Sequence, residues 1–133
     1  MEEYMRQSES DIQTAIIEAL VYDGWLVLRI NQGGMFVGQR EDRYVTFARW
    51  QALGQPVTGK GISDILAFKA ESCPYDSFPS GVLAIEVKAP GKKFNTSEHQ
   101  QAFLDAIAEH GGIAIVADCL EDVAPYLDSV EVQ

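Results

Sequence analysis

The sequence predicts an α/β fold: a small mixed β-sheet with helices on both sides. Three observations carry this. The run Val82-Leu83-Ala84-Ile85-Glu86-Val87-Lys88 has the length and branched apolar content of a central strand. A helical pattern follows it, then the apolar run Gly112-Ile-Ala-Ile-Val-Ala117, and strand, crossover helix and strand make the right-handed unit of α/β proteins. Near the start, residues 8–22 repeat their apolar positions with a helical period. The predicted order is αβββαβ, with a further helix after it.

Taken in order, Ser8 is an N-cap candidate, and Glu9, Ile12, Gln13, Ile16, Ala19 and Leu20 gather on one side of the first helix, opposite Asp11 and Glu18. Glu9 is therefore expected to point toward the apolar side. Asp23-Gly24 closes that helix. Trp25 to Ile30 is a strand, broken at Asn31-Gln-Gly-Gly34. Residues 35–60 contain Gly38, Gly54, Pro56 and Gly59 and are expected to be largely mobile loop, with one short strand near Tyr44–Arg49. Ser63 to Phe68 is the next strand, and a turn-rich link leads from it to the strand at 82–88. Past Ala89-Pro-Gly91 a helix begins near Thr96 or Ser97, places Gln100, Phe103, Leu104, Ile107 and Ala108 on one face, and closes at His110-Gly-Gly112. The all-apolar strand 112–117 is of the kind that lies inside a sheet. Leu120 to Val130 reads as a last helix.

With 133 residues the chain is expected to form a single domain, and 47% apolar content suits a water-soluble protein. The apolar runs are far shorter than the roughly 18 residues of a membrane span, and the acidic start is no signal peptide, so a cytoplasmic setting, in a bacterium or a phage-infected cell, is expected. Cys73 and Cys119 lack any zinc-finger spacing and read as reduced packing residues.

The net charge of -10 argues at first against a polyanionic partner. Its distribution reverses the inference: residues 1–28 carry -5 and residues 94–133 carry -8, whereas residues 29–93 hold nine of the ten basic residues and carry +3. Such asymmetry concentrates a cationic surface on an acidic protein.

Chemistry converges on the strand at 82–88. Glu86 and Lys88 are two residues apart and so share one face. They are either a structural ion pair or part of a site. If strands 63–68 and 82–88 form a hairpin, Asp64 falls beside Glu86 and Lys88, and Glu9 approaches from the first helix. Clustered carboxylates repel unless a cation neutralises them, and all-oxygen ligation favours Mg²⁺ or Mn²⁺. The Val87 carbonyl is a further ligand candidate, while its side chain points away.

The combination Gly61-x-x-Asp64 with Glu86-x-Lys88 some twenty residues later resembles the PD-(D/E)xK nuclease signature, with Ser63 where many members have proline. The helix beginning Glu9-x-x-Ile-Gln, and Lys88-Ala-Pro-Gly-x(8)-Gln100 ahead of Phe103 and Gly111-Gly112, narrow the resemblance to the VRR-NUC family over residues 8–124. The resemblance implies a restriction-endonuclease-like core and a metal-dependent DNA nuclease. It implies catalytic roles for Glu9, Asp64, Glu86 and Lys88, with Gln100 in support, and metal held by Asp64, Glu86, the Val87 carbonyl and Glu9, directly or through water. Small stand-alone members are similar to Holliday junction resolvases, acting as homodimers on branched DNA, and the short chain points to that type.

Alternatives stay open at this level. Glu9 also suits a helix N-terminus, Asp64 a turn, and Gln100 a capping box with Ser97. His99 and His110 have no ligand-like spacing, and Gln101, the neighbouring choice to Gln100, falls off the apolar face. DNA contacts are expected from Arg29, Asn31, Lys60, Lys92 and Lys93, which flank the site in sequence. Flap or single-strand cleavage is the alternative nuclease reading. A non-cleaving DNA- or protein-binding module is the alternative outside catalysis, and the acidic termini leave room for a basic protein partner.

Overall fold

A computed structural model describes residues 7–30, 34–38, 43–46, 48–69 and 81–128. The elements are α1 (Glu9–Tyr22), β1 (Leu26–Arg29), β2 (Gly34–Val37), β3 (Arg43–Thr46), β4 (Ile65–Phe68), β5 (Val82–Val87), α2 (Glu98–Glu109) and β6 (Ile113–Ala117). Four strands form a mixed sheet in the order β1-β4-β5-β6. The first two pairings are antiparallel and β5–β6 is parallel, as the α2 crossover requires. This is an α/β architecture consistent with a restriction-endonuclease-like core.

Alternation along the strands divides the core into two layers. Ile65, Ala67, Leu83, Ile85 and Val87 face Ile12, Ile16 and Leu20 of α1. Ala84 and Leu66 face Phe103, Leu104 and Ile107 of α2. α1 starts on the expected cap: the Ser8 hydroxyl accepts from Asp11 N–H at 3.0 Å, and Ser8 N–H donates to the Asp11 carboxylate at 3.1 Å. It stops where Gly24 takes a φ of 99°. Glu9 differs from its expected inward position, for its side chain is exposed in the first turn. Ala108, expected on the inner face of α2, is exposed as well, because that face follows Phe103, Leu104 and Ile107.

Three further expectations are corrected. β2 and β3 pair antiparallel, where the sequence suggested one weak strand. The Trp50–Thr58 segment folds back on itself through paired hydrogen bonds of 2.7 and 3.0 Å. β6 is covered on both faces as expected, but among the described strands it lies at the edge of the sheet. Its apolar run arises because both of its faces are covered, by α2 and by the segment after it. That last segment is two 3-10 turns, Leu120–Asp122 and Ala124–Tyr126, in place of a helix. Pro125 cannot donate to a helical ladder, and the burial of Val123 and Leu127, four apart, mimics a helical period. Among the described residues no helix is long and apolar enough to cross a membrane.

Candidate active site

The register of the β4–β5 hairpin builds the site. Ile65 pairs with Ile85, so Asp64, just before β4, comes opposite Glu86. Its Oδ2 accepts the Val87 N–H at 2.8 Å. The carbonyl of a strand residue leaves the backbone on the same edge as its N–H, so the Val87 carbonyl is directed to the Asp64 side. Glu86 and Lys88 share the α2 face with Ala84, as alternation demands. Both carboxylates are deeply placed, Asp64 7% exposed and Glu86 3%.

α2 supplies the third member. Ser97 caps it in a box with Gln100: Gln100 N–H donates to the Ser97 hydroxyl at 3.1 Å and Ser97 N–H donates to Gln100 Oε1 at 3.0 Å. The same Oε1 accepts from Lys88 Nζ at 2.8 Å, and Gln100 Nε2 donates to Glu86 Oε2 at 2.8 Å. The capping box and the contacts to Glu86 and Lys88 are thus made together by one amide. Lys88 Nζ itself lies 3.8 Å from Glu86 Oε2. Gly61 makes this possible. It has a φ of 87°, and a Cβ there would overlap the His99 carbonyl oxygen, so only glycine lets the first turn of α2 press on the segment leading to Asp64.

Electrostatics mark Glu86 as the unusual group. Burial pushes its carboxyl up to about 8, and the charge of Asp64 adds to this while Lys88 opposes it and Glu9 contributes further. Glu9 therefore reaches the site through its field from an exposed position. Glu86 Oε1 is buried and has no hydrogen-bond partner among the described residues. A buried carboxylate oxygen without a donor, next to a second buried carboxylate, suits a divalent cation: positive charge at that point satisfies the lone pairs and cancels the repulsion.

The remaining expected residues lie outside this cluster. Arg29 is exposed on the α1 side of β1 and donates to Gln13 Oε1 at 2.6 Å. Lys60 and Lys92 are exposed, whereas Lys93 is bound to Asp122 at 2.7 Å. Asn31 falls outside the described residues. Gln101 is exposed and bonds to Asp105, and His99 and His110 are exposed.

Asp118 was not legible as a site neighbour. The parallel register sets Ala117 against Val87, which brings Asp118 beside Lys88; the signal for it was an acid at the C-terminal end of a parallel strand. With Cys119 and Asp122 it brings ligand atoms within 4.8 Å of one another. These carboxylates already accept bonds: Asp118 from Gly91 N–H at 3.1 Å, and Asp122 from Lys93 and from Asp118 N–H. They tie the 89–93 loop to the end of β6.

The VRR-NUC domain model matches residues 7–119, most of the chain. The protein belongs to the VRR-NUC family. The family is one of nucleases, so this VRR-NUC protein is a hydrolytic enzyme of DNA, and the matched segment contains all five residues of the Glu9, Asp64, Glu86, Lys88 and Gln100 set. No curated protein and no solved structure matches the chain significantly.

Proposed function

We propose that this VRR-NUC protein is a divalent-metal-dependent DNA endonuclease whose phosphodiester hydrolysis takes place at Asp64, Glu86 and Lys88. The observation that carries the reading is the buried Oε1 of Glu86, without a hydrogen-bond partner among the described residues, beside the buried Asp64. These two carboxylates hold the ion, with the Val87 carbonyl on the same strand edge and Glu9 at the rim, directly or through water. The all-oxygen set suits Mg²⁺ or Mn²⁺. When bound, such an ion polarises a phosphate and makes a nearby water more acidic.

The chain's own groups do the rest. Glu86 is protonated near neutral pH, because burial, with Asp64 adding to it, raises its carboxyl to about 8, and a bound cation would favour its charged form. Gln100 orients both neighbours by donating to Glu86 and accepting from Lys88. Lys88 then holds a fixed positive charge where negative charge builds on the phosphate. Lys60 and Lys92, with Arg29, Lys93 and Asn31 as further candidates, supply backbone contacts that bring affinity rather than sequence choice.

The finer reading is selectivity for branched DNA by a homodimer, similar to Holliday junction resolvases. It is supported by the family resemblance and by Leu26 and Phe68, cross-strand partners that stay partly exposed on the open side of the sheet. The test incubates the full chain with a four-way junction, a flap and a linear duplex in Mn²⁺, Mg²⁺ or EDTA, alongside Asp64→Ala and Lys88→Ala. Metal-dependent cleavage that both substitutions abolish is the expected result. Equal cleavage by the variants would assign the activity to a contaminant, and cleavage in EDTA would remove the metal from the reading. Symmetric paired nicks in the junction and a dimer mass by light scattering support the resolvase-like form; a single nick at a flap supports the flap nuclease.

A further inference from the structure

The loop joining the two halves of the site carries an aromatic side chain that the fold does not bury. Residues 89–97 run from Lys88 to the Ser97 cap of α2, and the Lys88–Gln100 hydrogen bond closes the base of the loop. The loop is well tied. Lys92 N–H donates to the Ala89 carbonyl at 2.9 Å, with Gly91 at a φ of 80°, a turn with proline second and glycine third. A second turn follows it, Asn95 N–H donating to the Lys92 carbonyl at 3.0 Å. Gly91 and Lys93 are held from outside by Asp118 and Asp122. Phe94, third in the second turn, is nevertheless 93% exposed, whereas Phe103 on the adjoining helix is 6% exposed.

We propose that Phe94 is a base-stacking residue, its ring taking the face of an unpaired nucleobase in the DNA strand that enters the Asp64–Glu86–Lys88 site. The proposal rests on the nuclease reading of that site and deepens it by naming a substrate class, DNA with unpaired bases close to the cleaved bond. Nucleobases stack on exposed aromatic rings with little regard to sequence, and such platforms combine an aromatic with cations that follow the backbone. Lys92 is exposed two residues before Phe94, and no acid occurs between Lys88 and Glu98. Phe94 is six residues from Lys88 and six from Gln100, at most about 20 Å of extended chain, which the two turns shorten. The ring is therefore within a few nucleotides of the site. Between its ends an intact duplex offers it no base face, and the gapped and blunt duplexes share the same ends.

Fluorescence anisotropy in EDTA, with the full chain, compares binding to a gapped duplex and to a matched blunt duplex. Phe94→Ala is expected to weaken binding to the gapped DNA roughly ten-fold to a hundred-fold, the effect of losing one stacked base, with little change on the blunt duplex, and Phe94→Trp is expected to restore it. A 2-aminopurine in the gap should be quenched by the parent protein and not by Phe94→Ala. Equal loss on both DNAs, no loss on either, or no rescue by tryptophan overturns the stacking role. A changed mass in light scattering would also overturn it, by assigning Phe94 to a protein interface. Binding in EDTA is read apart from cleavage. If the gap preference follows Phe94 while Mn²⁺ gives no cleavage, the catalytic reading fails and this one stands.

Discussion

Two lysine–carboxylate clusters sit at opposite ends of β4, and they are built for different ends. Beyond Phe68, Lys69 bonds Asp23 at 2.9 Å and Asp128 at 3.1 Å, and lies 5.6 Å from the Trp25 ring centroid. Trp25 Nε1 also donates to Asp23, at 3.1 Å. Burial alone would lower the Lys69 pKa, but the bonds to the two aspartates more than offset it and raise it. At the other end Lys88 stands 3.8 Å from Glu86 and reaches it through Gln100, while Glu86 Oε1 has no donor among the described residues. One cluster is internally satisfied and stabilises the fold. The other leaves a buried carboxyl oxygen without a hydrogen-bond partner among the described residues, and that difference is the one the proposed metal site would explain.

The pH dependence of the two ends has the same sign but falls in different windows. A lysine with a raised folded pKa contributes stability that is complete below its unfolded value and is lost only as pH climbs through the folded one. Lys69 is thus constant through the neutral range. Glu86 is an acid with a raised folded pKa, so the folded state binds its proton more tightly, and stability falls as pH rises from about 4.5 toward about 8.

The largest effect that sharpens this contrast is on catalysis. Asp64→Asn is expected to reduce cleavage by about a thousand-fold or more, in line with removing preorganised charge at a reacting phosphate, with no comparable loss of melting temperature; a proportional loss of stability would make the site end a stabilising cluster too. Gln100→Ala should cost roughly ten-fold to a hundred-fold in rate, as removal of a partner that orients a ligand does, and its pH–rate profile should shift because Glu86 and Lys88 lose their shared amide.

At the other end, Lys69→Ala should leave cleavage intact and destabilise the protein by about 3 kcal/mol, since it takes the cation away from the Asp23 carboxylate, 1% exposed, which keeps the Trp25 N–H. Denaturant titration with a parallel activity assay reads both quantities. Subtler is Glu86→Gln in EDTA: its melting temperature should exceed that of the parent at pH 8.5, with the difference closing toward pH 5. An unchanged difference across that range would show that Glu86 ionisation carries no folding cost. Smallest of all, Lys92→Ala should weaken DNA binding a few-fold and reduce the salt slope of binding by about one.

The site was partly readable from sequence, and unevenly so. The juxtaposition of Asp64 with Glu86 and Lys88 was readable because strand alternation and a hairpin register are short-range rules, and the register observed is the one they require. Gln100 remained ambiguous because a capping box and a site contact ask for the same residue at the same place. Glu9 was misplaced by the helical wheel, which assigns a direction but not where the helix ends relative to the sheet. Of the β2–β3 pair only a strand overlapping β3 was read, because four-residue strands carry almost no periodic signal and β2 lies between glycines.

What the sequence determined alone was local: the Ser8 and Ser97 caps, the alternation that sets Glu86 and Lys88 on one face, and the run of elements that makes a mixed sheet. Tertiary structure decided which groups meet. Gly61 admits the backbone of α2, the parallel register brings Asp118 next to Lys88, and burial converts Glu86 from an ordinary acid into one held at about 8. The reason is physical. Capping and alternation act over a few residues of one segment, whereas desolvation and charge repulsion depend on distances between segments that only the packed fold sets.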